Sequence, residues 1–197
     1  WFRSLLAAVV RFDTDKRPIV ILDHVDHVAL WIAAVTFALP GHYRPFLSFA
    51  TYHHDPYQVN YRLTGTTADS RFRFSADEYI SYFVLNAEAN RISEANDSTY
   101  ASFVAKNFTP DLYEEKLLEL FAMCSAQMPS SPLANVDAAL EAITRFFLTV
   151  REGAISPSSP EGRAGLVAFL SSVEEKRTLS QDDLEQVVAI ADTLFSA

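Results

Sequence analysis

Two short apolar runs with an apolar helical segment between them set the strongest constraint on the fold of this chain. The run "PIVIL", residues 18–22, has no polar interruption, which is typical of a strand buried on both faces of a parallel sheet. "VALWIAAVTFAL", residues 28–39, predicts a buried helix that ends at Pro40 and Gly41. A second buried strand is predicted at "FLSFATY", residues 46–52. Strand, helix and strand in this order form a βαβ unit with parallel strands.

The segments around this unit predict further elements. "WFRSLLAAVVRF", residues 1–12, has apolar positions at helical spacing. "NYRLTGTT", residues 60–67, and "RFRF", residues 71–74, alternate polar and apolar side chains, which predicts more exposed strands. These two strands are joined either around Gly65 or at the polar "TTADS", residues 66–70.

The segment "SADEYISYFVL", residues 75–85, carries signals for both a helix and a strand. Ser75 and Glu78 match a capping box, which marks the start of a helix. The residues that follow are rich in aromatic and β-branched side chains, which favour a strand. We favour a short helical turn at "ADE" followed by a strand through Leu85.

After Asn96 the sequence is typical of helices. Helices are predicted at residues 97–108, 111–128, 136–152, 162–175 and 181–195, with Thr109, Asn135 and Ser180 as caps, Pro110 at a first helical position, and linkers at "SSPLAN" (130–135) and "GAISPSSPEG" (153–162). The fold class is therefore α/β: a small mixed sheet with parallel core strands over residues 1–96, then a helical part over residues 97–197. These helices could also pack on the sheet as one domain.

Composition excludes several classes of partner. The chain has 197 residues, a formal net charge of -9 and a pI near 4.9. Its basic residues are scattered along the chain, whereas nucleic-acid binding needs clustered Lys and Arg, so we expect no nucleic-acid partner. The charge also disfavours an anionic membrane surface, and no apolar run is long enough to span a bilayer. The single cysteine, Cys124, fits a reducing compartment, so we expect a cytoplasmic protein.

The histidines form the one unusual cluster in the sequence. All 5 lie in the first third of the chain, and most of them stand beside aspartates. If "PIVIL" and "FLSFATY" are parallel neighbours, their carboxyl ends place two polar groups side by side, at the edge where open α/β sheets bind ligands. The candidate binding residues are Asp23, His24, His27, His53, His54 and Asp55.

Two interpretations of this cluster are open. Imidazole and carboxylate groups bind divalent metals, and a metal-bound water could attack an ester or a phosphate. The ligands would then be His24, His27, His53 and His54. The simpler interpretation, which we favour, is that Asp23 or Asp26 caps the following helix and the histidines are polar loop residues. On that interpretation neither a metal nor another cofactor is expected, and no catalytic residue is assigned.

Other catalytic and ligand-binding signatures are missing from the sequence. No G-x-S-x-G elbow, Walker loop or G-x-G-x-x-G is present, and 5 glycines are too few for a phosphate cradle. Cys124 lies in a predicted helix, where a buried thiol is the ordinary expectation. Arg62, Arg71 and Arg73 could contact an anion, although arginine on the wet face of an antiparallel ribbon is the more common explanation.

The order of these segments resembles the middle region of the bacterial family called GTPase-associated protein one. The resemblance rests on "PIVILD", on the apolar helix that ends at Leu39 and Pro40, on "LSFATY" (47–52) followed by Asp55 and Pro56, and on "YRLTGTT". It covers roughly the first 85 residues of the chain. The resemblance implies an adaptor or regulator in GTPase-containing conflict or signalling systems, and it supplies no catalytic residues.

Two functions follow as hypotheses. The first is a non-catalytic interaction or regulatory module of a multi-region bacterial protein, with a GTPase or another region of the parent chain as its partner. Its docking surface would be the acidic helices or the aromatic-rich strands. Because the chain begins on Trp1 inside a predicted helix, we interpret it as a segment of a longer polypeptide. The second hypothesis is a metal-dependent hydrolase at the carboxyl edge of the sheet.

Overall fold

A computed structural model describes residues 1–108, 115–127, 136–173 and 181–195 of the chain. In these residues one sheet has five strands, in the spatial order β2-β3-β1-β4-β5. The strands are β1 (Ile19–Leu22), β2 (Phe49–Ala50), β3 (Leu63–Thr66), β4 (Phe83–Asn86) and β5 (Arg91–Ile92). The strands β1, β2, β3 and β4 run parallel and β5 runs antiparallel to β4, so the predicted mixed α/β sheet with a parallel core is confirmed.

The helices agree with the sequence prediction in all but two respects: the short helix Phe12–Asp15 was not predicted, and the helix Pro160–Val173 begins inside the predicted linker 153–162. They are α1 (Phe2–Val10), α2 (Phe12–Asp15), α3 (Val25–Phe37), α4 (Ala76–Ser81), α5 (Thr99–Asn107), α6 (Glu115–Gln127), α7 (Val136–Val150), α8 (Pro160–Val173) and α9 (Gln181–Phe195). The predicted caps Thr109, Asn135 and Ser180, together with Pro110 and the "SSPLAN" linker, lie outside the described residues. The capping box of Ser75 and Glu78 is present at the start of α4, and the strand β4 follows it as predicted.

The strand order corrects one prediction. The strands β1 and β2 are not neighbours, because β3 lies between them and pairs in parallel with both. The strand β3 was predicted to be exposed, but all four of its residues are buried. Its polar positions, Thr64 and Thr66, are buried as well, and a loop packs on the neighbouring strands β1 and β4 at the face of the sheet opposite α3. The alternation of polar and apolar residues within β3 gives no information about other segments that pack on the sheet, so the burial of β3 could not be predicted from it.

That loop is the segment "RFRF", which was wrongly predicted as a strand. Phe72 turns inward and packs with Val20 and Val84 against the second face of the sheet. Phe74 has a positive φ of 50°, a backbone conformation that a strand does not contain. The alternation of arginine and phenylalanine therefore comes from an irregular segment whose rings cover the sheet and whose arginines reach solvent.

The strand β2 is shorter and more exposed than predicted. It has 2 residues, and the side chain of Phe49 is 45% exposed. This exposure follows from the position of β2 at one end of the sheet, with β3 on one side and no other strand of the described chain on the other. The prediction of a second buried strand was therefore wrong.

The face of the sheet that α3 covers carries the main core. Ile19 and Ile21 of β1 belong to one buried cluster that includes residues of α1, α3 and α5. The same cluster continues into α6, α7 and α8, where the rings of Phe146 and Phe169 stack with centroids 3.8 Å apart. Buried side chains from both sides of residue 96 are thus in one cluster, while the predicted division of the chain at that residue stays a prediction.

Candidate functional site

Asp23 follows β1 directly and contacts three nitrogen groups. Its Oδ1 atom accepts a hydrogen bond from the backbone amide of His24 at 2.7 Å and lies 3.1 Å from Nδ1 of His27. Its Oδ2 atom accepts a hydrogen bond from Nε1 of Trp31 at 3.0 Å. The N-cap residue of α3 is His24, and it makes no side-chain cap hydrogen bond, so the expected cap by Asp23 or Asp26 does not form. Asp23 instead ties β1 to the first two turns of α3.

These contacts decide the charge of Asp23. Burial acts to raise the pKa of its carboxyl group, but the hydrogen bonds from Trp31, His24 and His27 outweigh it. The pKa therefore lies below the ordinary value of 3.8, because hydrogen bonds to the charged form stabilise it. Asp23 is an ionised carboxylate at neutral pH, and both of its oxygens face nitrogen groups of the chain.

The two histidines beside Asp23 reach solvent. The side chains of His24 and His27 are 72% and 62% exposed, and their ring centroids lie 5.8 Å apart. Nδ1 of His24 lies 3.7 Å from a carboxylate oxygen of Asp26, which is itself 86% exposed. The group of His24, Asp26 and His27 is accessible to a molecule in solvent, but these contacts do not form an enclosed pocket.

His53 lies after β2 and is fixed mainly through its backbone. Its carbonyl oxygen accepts a hydrogen bond from Oγ1 of Thr66 at 2.9 Å, and its amide donates to the carbonyl of Gly65 at 2.8 Å. Nδ1 of its ring accepts a hydrogen bond from the amide of Asp55 at 3.1 Å. An imidazole nitrogen that accepts carries no proton, so the proton of the neutral ring is on Nε2.

Asp55 organises the turn that follows. Its Oδ1 atom accepts from the amide of Tyr57 at 3.3 Å, and its Oδ2 atom accepts from Nε2 of Gln58 at 2.9 Å. A guanidinium nitrogen of Arg71 lies 3.6 Å from Oδ2, and the amide of Arg71 donates to the carbonyl of His54 at 2.8 Å. Asp55 therefore caps the 3₁₀ turn at Pro56–Gln58.

Tyr57 connects this turn to α4 and to the aromatic cover of the sheet. Its hydroxyl donates to Oε1 of Glu78 at 2.8 Å and accepts from the amide of Arg73 at 3.2 Å. Its ring stacks on Phe72 with centroids 5.1 Å apart and meets Tyr82 edge-on at 5.9 Å. Burial, together with the carboxylate of Glu78, holds the pKa of Tyr57 above its ordinary 10.0, so the hydroxyl stays protonated and donates. Sequence reasoning missed this anchor, for which the sequence holds no local signal.

The six candidate residues thus form two groups rather than one. Asp23, His24 and His27 lie after β1, while His53, His54 and Asp55 lie after β2. Thr66, the last residue of β3, stands between the groups: its carbonyl accepts from the amide of Asp23 at 3.3 Å, and its hydroxyl donates to the carbonyl of His53. The two groups share the carboxyl edge of the sheet, and the strand between them separates them.

The same residues were the candidates for a metal site. In the parts of the chain that the structure describes, no group of three or more His, Cys, Asp or Glu side chains is arranged to hold a metal ion. Part of the reason is that the carboxylates of Asp23 and Asp55 already accept hydrogen bonds from protein donors. A site that includes His24, His27, His53 and His54 stays a prediction.

The other residues singled out in the sequence have structural contacts. Cys124 is fully buried in α6, and burial raises the pKa of its thiol, so it is protonated at neutral pH. Arg62 lies 2.9 Å from Asp13, and its guanidinium stands 4.8 Å from the ring centroid of Phe12. Arg62, Arg71 and Arg73 were predicted to lie on the wet face of an antiparallel ribbon. That ribbon does not form, because β3 pairs in parallel with both of its neighbours.

The helix α3 presents a feature that the sequence interpretation missed. The segment was predicted to be buried, and Val28, Ile32 and Val35 do face the core. Leu30, on the opposite side of the same helix, is 66% exposed, and Phe37, one heptad further on, is 49% exposed beneath the guanidinium of Arg44. A surface helix ordinarily has charged or polar residues there, and the absence of charge between residues 28 and 37 was the available signal.

The described fold defines a class: an α/β protein whose mostly parallel sheet carries an outer helix with apolar side chains on its solvent side. Residues 1–89 match the model of the family described as GTPase-associated protein 1, middle domain. The resemblance seen in the sequence is confirmed over this segment, which contains the elements from α1 to β4. A search of curated proteins and a search of solved structures each found no significant match. In the described residues, no helix is long and apolar enough to cross a membrane.

Proposed function

We propose that this protein is a non-catalytic interaction module, an adaptor or regulator that binds a GTPase within a bacterial conflict or signalling system. The family match gives the GTPase context, because the model that fits residues 1–89 is named for a GTPase-associated protein. The observation that carries the proposal is the apolar solvent side of α3, which lies inside the matched segment.

The solvent side of α3 supports a docking role on energetic grounds. Burying a leucine side chain contributes about 1.5–3 kcal/mol, and Leu30 is 66% exposed in the isolated chain. Exposed apolar groups on one side of a helix are typical of protein-binding surfaces, in which a few buried side chains provide most of the affinity. A partner that covers α3 would gain this burial without any change in the fold of the module.

The direct experiment is co-elution. The protein is mixed with a purified GTPase from its own genome, loaded with GDP or with a non-hydrolysable GTP analogue, and run on a size-exclusion column. We expect a complex in at least one nucleotide state. Separate elution in both states, at concentrations of tens of micromolar, would contradict the proposal.

A metal-dependent hydrolase is the second candidate, and one observation favours it. Exposed His24 and His27, together with the segment of His53 and His54, share one edge of the sheet, which is where open α/β folds bind ligands. Elemental analysis of the purified protein, repeated on a double variant with alanine at positions 53 and 54, separates the two functions. Stoichiometric zinc, manganese or iron that is lost in the variant would favour the hydrolase.

A further inference from the structure

The strand β2 leaves backbone groups open at the edge of the sheet. The amide of Leu63 in β3 donates to the carbonyl of Ser48 at 3.2 Å, and the register pairs Phe49 with Leu63. In a parallel ladder of this register, Leu63 bonds to the residues on either side of Phe49, namely Ser48 and Ala50. The N–H and C=O of Phe49 therefore point away from β3, toward the open side.

Apart from its short length, this edge lacks the features that usually prevent strand pairing. Residues 46–52 carry no charge and no proline, and the exposed fractions of Phe49 and Tyr52 are 45% and 44%. At the other end of the sheet, β5 contains Arg91, whose guanidinium stands 4.2 Å from the ring centroid of Tyr79. Charged residues and prolines protect natural edge strands, so the sheet has one protected edge and one receptive edge.

We propose that β2 accepts an extended segment of a protein partner, which adds to the sheet as a sixth strand. An extended backbone is the group that matches the N–H and C=O of Phe49 together, as in other cases of recognition by strand addition. The inference rests on the proposed function and deepens it, since it adds to the solvent side of α3 a second contact for the same GTPase and names the conformation of the segment that makes it.

The charge of the chain indicates what kind of segment fits. A second copy would bring together two chains that each carry a formal net charge of -9, which disfavours pairing of β2 with itself. A segment that is neutral or basic meets no such repulsion. The side chain of Phe49 lies on the same face as Leu63, which belongs to the core beneath the helices. The incoming strand should therefore place alternate apolar side chains beside Phe49, on that face.

A matched pair of substitutions separates strand addition from simple apolar contact. Phe49→Ala removes the side chain and keeps the outward N–H, whereas Phe49→Pro removes both. Proline is tolerated at an edge position whose N–H faces solvent, so both variants should keep their fold, which circular dichroism and thermal melting check. We expect the affinity for the GTPase to fall by a further factor of about ten in the proline variant, relative to the alanine variant. Equal affinities of the two variants would overturn the inference.

Amide hydrogen exchange gives a second readout on the wild-type protein. The amide of Phe49 should exchange more slowly when the GTPase is bound, because it gains a hydrogen bond. The amide of Ala50 is the internal control, because the register already directs it to β3, and its exchange should change less. Unchanged exchange at Phe49 in a formed complex would overturn the inference and leave the proposed function intact.

If the GTPase forms no complex, the proposed function fails and the edge is tested alone. The probes are overlapping twelve-residue peptides that cover the GTPase, each made in a normal form and in a form with alternate amides N-methylated. Binding of a neutral or basic peptide that N-methylation abolishes supports strand addition, since methylation removes the donors that β2 would meet. An array without any such peptide overturns the inference.

Discussion

At the scale of single residues, the carboxylate of Asp23 contacts three nitrogen groups of the chain, which predicts a structural role. Asp23→Ala leaves the indole N–H of Trp31 and the amide of His24 without their acceptor. We expect the variant to lose about 1–2 kcal/mol of unfolding free energy in urea denaturation. Asp26→Ala, at an 86% exposed side chain in the first turn of α3, is the control and should change stability by less than about 0.5 kcal/mol. Equal losses in the two variants would contradict this role.

His42 provides a pH dependence whose sign can be worked out. Burial lowers the pKa of His42 below its ordinary 6.5, and Nε2 of its ring is buried without a hydrogen-bond partner among the described residues. A depressed histidine pKa stabilises the fold above the unfolded value, and this contribution is lost as the pH falls through the folded pKa. Stability should therefore decrease from about pH 6.5 downward, and His42→Phe should decrease less over the same range. Parallel curves for the two proteins, measured by urea denaturation at each pH, would contradict the expectation.

The identity of the candidate residues could be predicted from the sequence, but their grouping could not. Asp23 and His53 were named because both follow apolar runs, and both do lie at the carboxyl edge of the sheet. Their separation depends on Thr66, which comes from a strand whose place between them has no local signal. The hydrogen bond from Trp31 to Asp23 likewise joins a helix to a strand end and is set by packing.

At the scale of elements, the position of β3 depends on one close approach. A Cβ atom added to Gly65 would lie 2.2 Å from Cγ1 of Val28 in α3 and 2.4 Å from the carbonyl oxygen of Thr51. Gly65→Ala should therefore lower the unfolding free energy by about 1–3 kcal/mol, because the backbone or α3 must shift. Gly41→Ala is the control, since nothing lies within 4 Å of its added Cβ. A Gly65→Ala protein as stable as the Gly41→Ala protein in the same denaturation experiment would contradict this packing.

The elements that were predicted correctly have strong local signals. The strand β1 is uniformly apolar, and α4 begins with the capping box of Ser75 and Glu78. The exposure of β3 and a strand at residues 71–74 were wrongly predicted because their alternation resembles that of half-exposed strands. In the structure, the ring of Phe72 covers Val20 of β1 and Val84 of β4, and contacts between segments of this kind have no signature in a short window.

At the scale of the whole molecule, the buried cluster predicts how the chain unfolds. The helical part contacts the α/β part through α5, where the hydroxyl of Tyr100 donates to the carbonyl of Ala38 at 2.6 Å. Both tryptophans, Trp1 and Trp31, lie in the α/β part, so tryptophan fluorescence reports on that part alone. We expect the fluorescence and the helical circular dichroism to change at the same temperature, as in one cooperative unit. Two separate transitions would favour two independent domains.

The overall class of the protein could be predicted from the sequence, because the βαβ pattern and the family resemblance both lie in its first 89 residues. The solvent side of α3 could not be located in the same way. An apolar helix in a sequence indicates burial, but it does not say whether the chain itself or a partner provides the cover. Leu30 is exposed because the sheet covers the other side of α3 and no described element covers this one.

The measurement that tests the account most directly is the affinity of the GTPase for two matched variants, determined by isothermal titration. Leu30→Glu places a charge on the solvent side of α3, and Val167→Glu places the same charge on α8, at side chains that are 66% and 64% exposed. The account predicts that Leu30→Glu weakens binding by about a hundredfold while Val167→Glu binds as the wild type does. Wild-type affinity in the Leu30→Glu protein would contradict it.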